Sequence, residues 1–575
     1  MQKLLLSFFF IAATVTAQNN LPASFTQQEE QLFPFWLENH PQMLSSSAPP
    51  PQPVRTAAEF DESDGVLITW TSYTSILTQI VAAAVTQGNV YIVCTDSNTV
   101  KTALNTAGIP LANCHYIVTT YNSIWARDYG PNSIYQNDVD SLSIQDWIYN
   151  RPRPKDDTVP SGLARYMGLN IYTTTAAPND LIHTGGNYMS DGHGTAFSSN
   201  LVVNENPTHT SAEIDSIMEK YMGIHRYIKM NTLPNDVIHH IDMHMKLIDE
   251  ETLMMAQYPN GVADGPQIDS NLAYIQNNFL DCYGRPYKIV RMPSPPDKYG
   301  LYPDNSGDYC TYTNALILNK LIILPLYYTQ YDTTALRIWH ESMPGYTVVG
   351  IDCDNASANI ISQLGAIHCI THEIGHRDPI WISHAHLLST SNTTLPYTVT
   401  ARIETASGVF DAHCFWTTDT TLGYTNGIMT AAAADSFYFD IPAQPSGTNI
   451  FYYITANSVS GRTASKPLVA PAGVFDFWIL GGAGLQEQNL TTEISILPNP
   501  VSDVATVSLL VQKNASVSFS LTDLSGKKMM LPQTYWSNAG RNSFVLNTAS
   551  LPSGIYFLKI SGDDFSEVRK VVVNH

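Results

Sequence analysis

Charge is scarce in this chain, and positive charge scarcest. Only 14% of its 575 residues are Asp, Glu, Lys or Arg, and 29 basic residues face 50 acidic ones, a formal net charge of −21. A nucleic-acid surface should be basic, so that class of partner is excluded. The surplus of acid favours cationic ligands weakly by steering. Its simpler meaning is a solubilising surface. Long apolar runs are missing too. The one candidate, Leu4 to Ala13, is too short for a comfortable membrane span, and no other segment is long enough to span. That run follows Lys3 and precedes the small residues Val15-Thr-Ala17, the layout of an export signal over 1–17. Cysteine is sparse for an exported chain of this size: there are seven, an odd count that leaves at least one unpaired. A free thiol outside the cytoplasm is a liability unless it is buried or used. Apolar content is ordinary at 44%, which excludes wholesale disorder and permits large cores. The length suits three or four domains.

Composition changes along the chain suggest where these lie. Residues 18–56, with Ser45-Ser-Ser47 and Pro49-Pro-Pro51, read as a polar leader or linker with little core of its own. Over 57–385 strand-like and helix-like runs alternate, as in Gly65–Trp70 (strand), Ile76–Thr86 (helix) and Val90–Cys94 (strand), which predicts an α/β domain. Distinctive landmarks at Asp128, Gly185, Asp242, Asn314 and Cys369 recur at intervals of about 55 to 75 residues. Each of the first four precedes an apolar, strand-like stretch: Leu142–Tyr149, Leu201–Val203, Leu253–Ala256 and Leu316–Tyr328. Such repetition suggests a pseudo-symmetric α/β propeller in which each unit delivers one side chain to a shared centre; chance spacing is the alternative. Over 386–480 the texture is all-β, with Tyr397–Glu404, Ala412–Trp416, Ser436–Phe439 and Ile450–Ala456, and fits an immunoglobulin-like sandwich. Residues 481–490, containing Gly481-Gly-Ala-Gly484, read as a linker. Residues 491–575 form a third β module.

Chemistry concentrates at the landmarks. Cys369 supplies a soft nucleophile once ionised. Asp128 and Asp242 are candidates to grip a planar cation such as a guanidinium, since fork-like pairing fixes both position and plane. His240 is the acid/base candidate; in a strand it would share a face with Asp242. Trp125 could lay its indole on the cation. Taken singly, each has a duller reading: a small buried hydrophobe for the cysteine, a structural pair for His240 and Asp242, a core tryptophan beside a surface ion pair. Their joint order favours catalysis.

That order resembles the bacterial peptidylarginine deiminase and agmatine deiminase family. The shared signatures are Trp125-Ala-Arg-Asp-Tyr-Gly-Pro131, Gly185-Gly-Asn187, His240-Ile-Asp242, Tyr312-Thr-Asn314 and Ile367-His-Cys-Ile-Thr371. The resemblance implies a pentein fold, a five-bladed α/β propeller. It implies Cys369 as nucleophile, His240 as acid/base, Asp128 and Asp242 as guanidinium clamps and Asn314 as a supporting residue. It implies no catalytic metal, and no cofactor is expected. Substrate contacts are expected from Trp125, Gly185, Gly186, Asn187 and Ile238. Ile148-Tyr-Asn-Arg151-Pro-Arg153-Pro is similar to the Porphyromonas-type peptidylarginine enzymes, which implies that Arg151 and Arg153 engage a substrate's backbone and free carboxylate. Val237 stands where the resemblance leads to tyrosine. The last module, with Ile496-Leu-Pro-Asn-Pro500, Leu551-Pro-Ser-Gly-Ile-Tyr-Phe557 and Val571-Val-Val-Asn574, resembles the type IX secretion sorting domain of Bacteroidota. Partners are then arginine-containing peptides and the type IX machinery, and the protein is secreted or attached to the outer-membrane surface.

Other functions compete. Agmatine or free arginine could replace peptide as substrate. His372-Glu373-Ile-Gly-His376 is formally a zinc-protease motif, and Ile361, Leu364, Ile367 and Ile370 keep a helical spacing ahead of it. Pro379 would stop such a helix early, and no third ligand is evident downstream. A cysteine protease would leave the two aspartates unused. A non-enzymatic surface adhesin would suit the β modules but leave the landmarks accidental.

Overall fold

The helix Thr74–Ala84 shows how the pattern becomes architecture. Ile76, Leu77, Ile80, Val81 and Ala84 form one buried face against the strands on either side of it in sequence, Ser63–Thr69 and Asn89–Cys94. Those strands are covered on both faces, so Val66, Leu67 and Ile68 can be an unbroken apolar run rather than an alternating one. The computed structural model describes residues 21–39, 47–480, 494–511, 515–523, 527–537, 540–562 and 566–575. The export signal over 1–17, part of the 18–56 leader and the 481–490 linker lie outside the described residues. The chain divides into two compact units, Met1–Leu480 and Gly481–His575.

The first unit is a mixed α/β assembly in which five sheets repeat one plan. An antiparallel pair is followed by a helix and a strand returning parallel to the second member of the pair, the connection a parallel neighbour requires. Asn132–Gln136, Ser141–Tyr149 and Asn170–Thr174 follow it around the helix Val159–Met167. Met189–Ser190, Thr195–Ser199 and Arg226–Met230 follow it around Ser211–Met222. Met245–Leu247, Thr252–Gln257 and Lys288–Pro293 do so around Gly265–Asn278. Leu316–Leu318, Leu321–Leu326 and Thr347–Asp352 do so around Thr329–Ser342. In the remaining sheet the antiparallel partner of Ser63–Thr69 is His372–Gly375, from the far end of this region, and Asn89–Cys94 and Cys114–Val118 add in parallel. Each sheet is open; none among the described residues closes on itself.

Two expectations need correction. Leu201–Val203 is not a strand but part of the helical turn Leu201–Asn204. The strand of that unit is the hydroxyl-rich Thr195–Ser199, buried throughout, and the Ser199 hydroxyl accepts the Leu201 N–H at 3.2 Å to start the turn. The leader is also more structured than its polarity suggests. Gln27–Asn39 is helical, with Thr26 and Glu29 exchanging capping bonds, and Val54–Thr56 adds to the strand Asn132–Gln136.

From Trp381 to Trp478 two antiparallel sheets share a core that includes Val399, Ala401, Ile403, Cys414, Tyr452, Ile454 and Phe477. Tyr397–Glu404 alternates buried and solvent-facing residues, the mark of a strand covered on one face. The second unit contains two antiparallel sheets, Ile494–Leu497/Val504–Val511/Gly540–Asn547 and Lys528–Ser537/Ala515–Asp523/Gly554–Ser561/Ser566–Val573, with a core of its own. All seven cysteines are unpaired.

Candidate active site

The five landmarks occupy equivalent places. Each lies on a short turn just ahead of the strand that forms the antiparallel pair of its sheet: Asp128 on Ala126–Tyr129, the glycines on Gly185–Asn187, Asp242 on Ile241–Met243, Asn314 before Leu316–Leu318, and Cys369 on His368–Ile370. The turn bearing Asp128 packs against those bearing the glycines and Cys369, and the glycine turn packs against that of Asp242. Asp128, His240, Asp242, Asn314 and Cys369 are all buried.

Cys369 is held from two sides. Asn314 Nδ2 donates to its Sγ at 3.2 Å, and Asn314 Oδ1 accepts the backbone N–H groups of His368 at 3.1 Å and Cys369 at 3.4 Å. Asp242 Oδ2 lies 3.6 Å from Sγ and 2.7 Å from His368 Nδ1. Burial pushes the thiol well above its ordinary pKa, and the charges of Asp242 and Asp128 push it further. Burial also raises Asp128, to about 7, helped by Asp242. Burial works the same way on Asp242, but the hydrogen bond and charge of His368 bring it below its ordinary value. His240 is lowered to about 3 by burial, against the pull of Asp242.

His240 does not sit in a strand beside Asp242, as its spacing suggested. It precedes the turn Ile241–Met243, and its Nδ1 lies 3.6 Å from Asp128 Oδ1. Asp128 Oδ1, Asp242 Oδ1 and both nitrogens of His240 are buried without a hydrogen-bond partner. A guanidinium carries five N–H donors in a plane and suits two such carboxylate oxygens. Gly186 makes the approach possible: a Cβ there would lie 2.4 Å from His240 Nδ1 and 2.9 Å from Asp128 Oδ1. At Gly185 a Cβ would lie 2.0 Å from the Arg127 carbonyl oxygen.

The remaining expected residues divide. Trp125 is fully buried and packs beside Gly365, where a Cβ would lie 2.4 Å from Trp125 Cζ3 and 3.0 Å from Cys369 Cβ. Its ring therefore belongs to the wall next to the thiol. Asn187 instead pairs with Ser199, whose N–H it accepts at 2.8 Å, and so shapes the sheet that contains Thr195–Ser199. Ile238 is buried and Val237 is exposed. Arg151 and Arg153 are buried; their donors go to residues 22–29 and Asn150, treated below.

Two residues escape sequence reading. His368 was visible only as the neighbour of Cys369. Its ring bridges Asp242 and Glu59, whose Oε2 lies 2.8 Å from Nε2. Each ring nitrogen of His368 thus faces a carboxylate. Glu59 also pairs with Lys246 Nζ at 2.5 Å, and burial, which would raise it, is overcome by Lys246, His368 and Arg127, which hold it well below the carboxylate range. No motif surrounds Glu59, so only the fold reveals it.

The zinc alternative loses its helix. His372–Gly375 is a strand, His372 Nδ1 faces the Arg127 carbonyl at 3.1 Å, and Glu373 pairs with Arg127 at 2.7 Å. Ile361–Gln363 and His368–Ile370 are separate short turns, and Leu364 between them has φ +67°, which interrupts the helix its apolar spacing suggested. No group of three or more His, Cys, Asp or Glu among the described residues could hold a metal ion.

Residues 55–374, more than half of the chain, match the family model of Porphyromonas-type peptidyl-arginine deiminase, and residues 495–574 match that of the secretion system C-terminal sorting domain. A "Putative agmatine deiminase" of Mycoplasma mycoides is 24% identical over 291 residues, which covers 45% of this chain and 77% of the relative. An X-ray structure titled "putative agmatine deiminase" superimposes with TM-score 0.50 at 21% identity, covering 56% of this chain and 96% of that one, a likeness of fold. A "Putative Arginine Deiminase" from Porphyromonas gingivalis superimposes with TM-score 0.49 at 20% identity, covering 56% and 98%.

Proposed function

The chain belongs to the Porphyromonas-type peptidyl-arginine deiminase family, a family of enzymes acting on amidine C–N bonds, and from that premise we propose that it converts peptidyl arginine to citrulline and ammonia. The sorting module marks it as secreted or attached to the cell surface. The observation that carries the proposal is the buried meeting of Cys369 with two carboxylates whose free oxygens, Asp128 Oδ1 and Asp242 Oδ1, have no protein donor.

The chemistry follows from the charges. At rest Cys369 is a neutral thiol and His240 a neutral ring. Burial holds the thiol up first and the charges of Asp242 and Asp128 add to it; a guanidinium between the two carboxylates cancels that added part, so ionisation becomes easier on binding. His240 takes the thiol proton, and Asn314 Nδ2 donates to the sulfur anion. Sulfur bonds to the guanidinium carbon, the C–N bond breaks, and ammonia leaves with the proton that His240 returns. Water then adds to the thiouronium carbon as His240 takes one of its protons; the C–S bond breaks, the remaining hydroxyl proton passes to solvent as the citrulline carbonyl forms, and His240 returns its proton to the sulfur, restoring the neutral thiol and ring.

Arg151 and Arg153 favour a peptide ending in arginine, because a guanidinium fork suits a carboxylate. Agmatine, which lacks one, is the equal alternative. Residues 57–385 would be the catalytic domain, a five-bladed propeller suggested by the five repeated sheets. Residues 386–480 would be an immunoglobulin-like domain, suggested by their paired antiparallel sheets, and 491–575 the sorting domain. The test is citrulline formation from peptides with C-terminal arginine, peptides with internal arginine, and agmatine, for wild type and Cys369→Ala. Turnover that is lost in the variant and indifferent to chelator is expected. Chelator-sensitive peptide cleavage, or no citrulline from any substrate, would overturn the proposal.

A further inference from the structure

The segment Leu21–Glu29 holds the residues assigned above to substrate. Trp125 Nε1 donates to the Leu21 carbonyl at 2.8 Å. The Ala23 N–H donates to the Gln363 carbonyl at 2.9 Å, and the Ala23 carbonyl accepts from Arg151 Nε at 3.1 Å. Arg153 Nη2 donates to the carbonyls of Pro22 at 2.8 Å and Ser24 at 3.1 Å. The Glu29 carboxylate takes both prongs of the Arg153 fork, Nε at 2.7 Å and Nη2 at 3.1 Å. The Phe25 ring lies 4.2 Å from the Arg151 guanidinium carbon.

These are the groups a peptide substrate would present: a row of backbone carbonyls and one carboxylate. Glu29 is held ready for the role. Its Oε2 accepts the Thr26 N–H at 2.8 Å and its own N–H donates to Thr26 Oγ1 at 3.2 Å, so the start of the helix Gln27–Asn39 fixes the carboxylate. Ala23 and Glu29 are 1% and 9% exposed, the burial of a docked segment rather than a loose tail. Yet no arginine or lysine occurs from Leu21 to Asn39, so the segment brings no guanidinium to Cys369 and cannot be turned over.

We propose that Leu21–Glu29 is an internal, unreactive peptide ligand of the substrate cleft, and that the chain is latent while the segment stays docked. This rests on the reading of Arg151 and Arg153 as substrate-binding residues. A docked segment lowers the fraction of competent protein and so raises apparent KM by the inverse of that fraction, with kcat unchanged once substrate has displaced it.

The test uses the full chain with Phe25→Ala and Glu29→Gln, singly and together, and two measurements. One is kcat and KM for a peptide ending in arginine. The other is the rate at which iodoacetamide alkylates Cys369, read by peptide mapping with the half-buried Cys282 as internal control. The double variant should lower KM about tenfold and speed Cys369 alkylation by a similar factor, from loss of a charge-assisted pair and a cation–π contact. A synthetic peptide of residues 21–31 added to it should reverse both. Unchanged KM and unchanged alkylation in every variant, or no effect of the peptide, would overturn the proposal. If the double variant does not fold, Phe25→Ala alone decides, since that side chain is only partly buried. If no variant makes citrulline, the functional reading fails, while the alkylation and peptide-protection results still decide whether the segment covers the cleft.

Discussion

At the scale of single residues, the site is organised around charges that burial makes costly. Asp128 titrates near 7 because burial, and then Asp242, favour its neutral form. A neutral Asp128 grips a cation poorly, so kcat/KM for a guanidinium substrate should rise with pH through about 7, as a pH–rate profile would show. The same shift sets a stability prediction. A carboxyl whose folded pKa is raised stabilises the fold fully only below its ordinary value, and that contribution disappears as pH climbs through the folded value. Asp128→Asn should therefore abolish turnover yet raise thermal stability at pH 8 by on the order of 1–4 kcal/mol, with the gain vanishing below about pH 4. Equal melting temperatures at both pH values would contradict it. Glu59 acts one step further out. It faces His368, Lys246 and Arg127, and His368 in turn holds Asp242 beside the thiol. Glu59→Gln removes the carboxylate charge that faces His368 Nε2, Lys246 and Arg127. We expect kcat to fall about 10- to 100-fold with KM for agmatine little changed, and Glu59→Asp to recover part of it. A loss confined to KM would argue against this positioning role.

At the scale of elements, the short turns before the strands matter more than the strands. Gly186→Ala would set a methyl carbon 2.4 Å from His240 Nδ1 and 2.9 Å from Asp128 Oδ1, both side-chain atoms. The fold can yield there while the catalytic geometry cannot, so citrulline formation should drop at least about 100-fold with a melting temperature within a few degrees of wild type. Gly185→Ala meets the backbone carbonyl of Arg127 at 2.0 Å and should instead cost stability, about 1–3 kcal/mol by chemical denaturation. The contrast shows what was legible in the sequence. Strong periodic runs, such as Ile76–Thr86 and Val90–Cys94, lie where the helix Thr74–Ala84 and strand Asn89–Cys94 form, because burial on fixed faces leaves little choice. The residues singled out at the centre, Cys369, Asp128, Asp242, His240 and Asn314, are brought together because each motif marks one of the repeated turns. Local signals failed where tertiary contacts decide. Leu201–Val203 is apolar with two β-branched valines, yet the Ser199 hydroxyl accepts the Leu201 N–H and the segment starts a helical turn. His372 to His376 mimics a zinc helix, but pairing with Ser63–Thr69 draws it into a strand. Glu59 meets His368 across 309 residues of sequence, a distance at which no spacing rule speaks.

At the scale of the whole molecule, catalysis and delivery are carried by different stretches of chain. Every residue of the candidate site, together with the segment Leu21–Glu29, lies in the first compact unit, whereas the sorting-domain match falls wholly in the second. The second unit has its own core, including Val507, Leu509, Val517, Leu521, Leu558 and Val571. Removal of residues 481–575 should therefore leave kcat and KM within about twofold of the full chain, the change expected for distant, uncoupled parts. The same deletion should leave the protein inside the cells that make it, because the element read by the secretion machinery is gone. Fractionating a producing strain and assaying citrulline formation in each fraction separates the two effects. Activity that disappears from the medium but persists in the cell extract is the expected result. Loss from both fractions, with the truncated chain still soluble, would mean that the module contributes to the catalytic centre, and the division of labour between the two units would have to be abandoned.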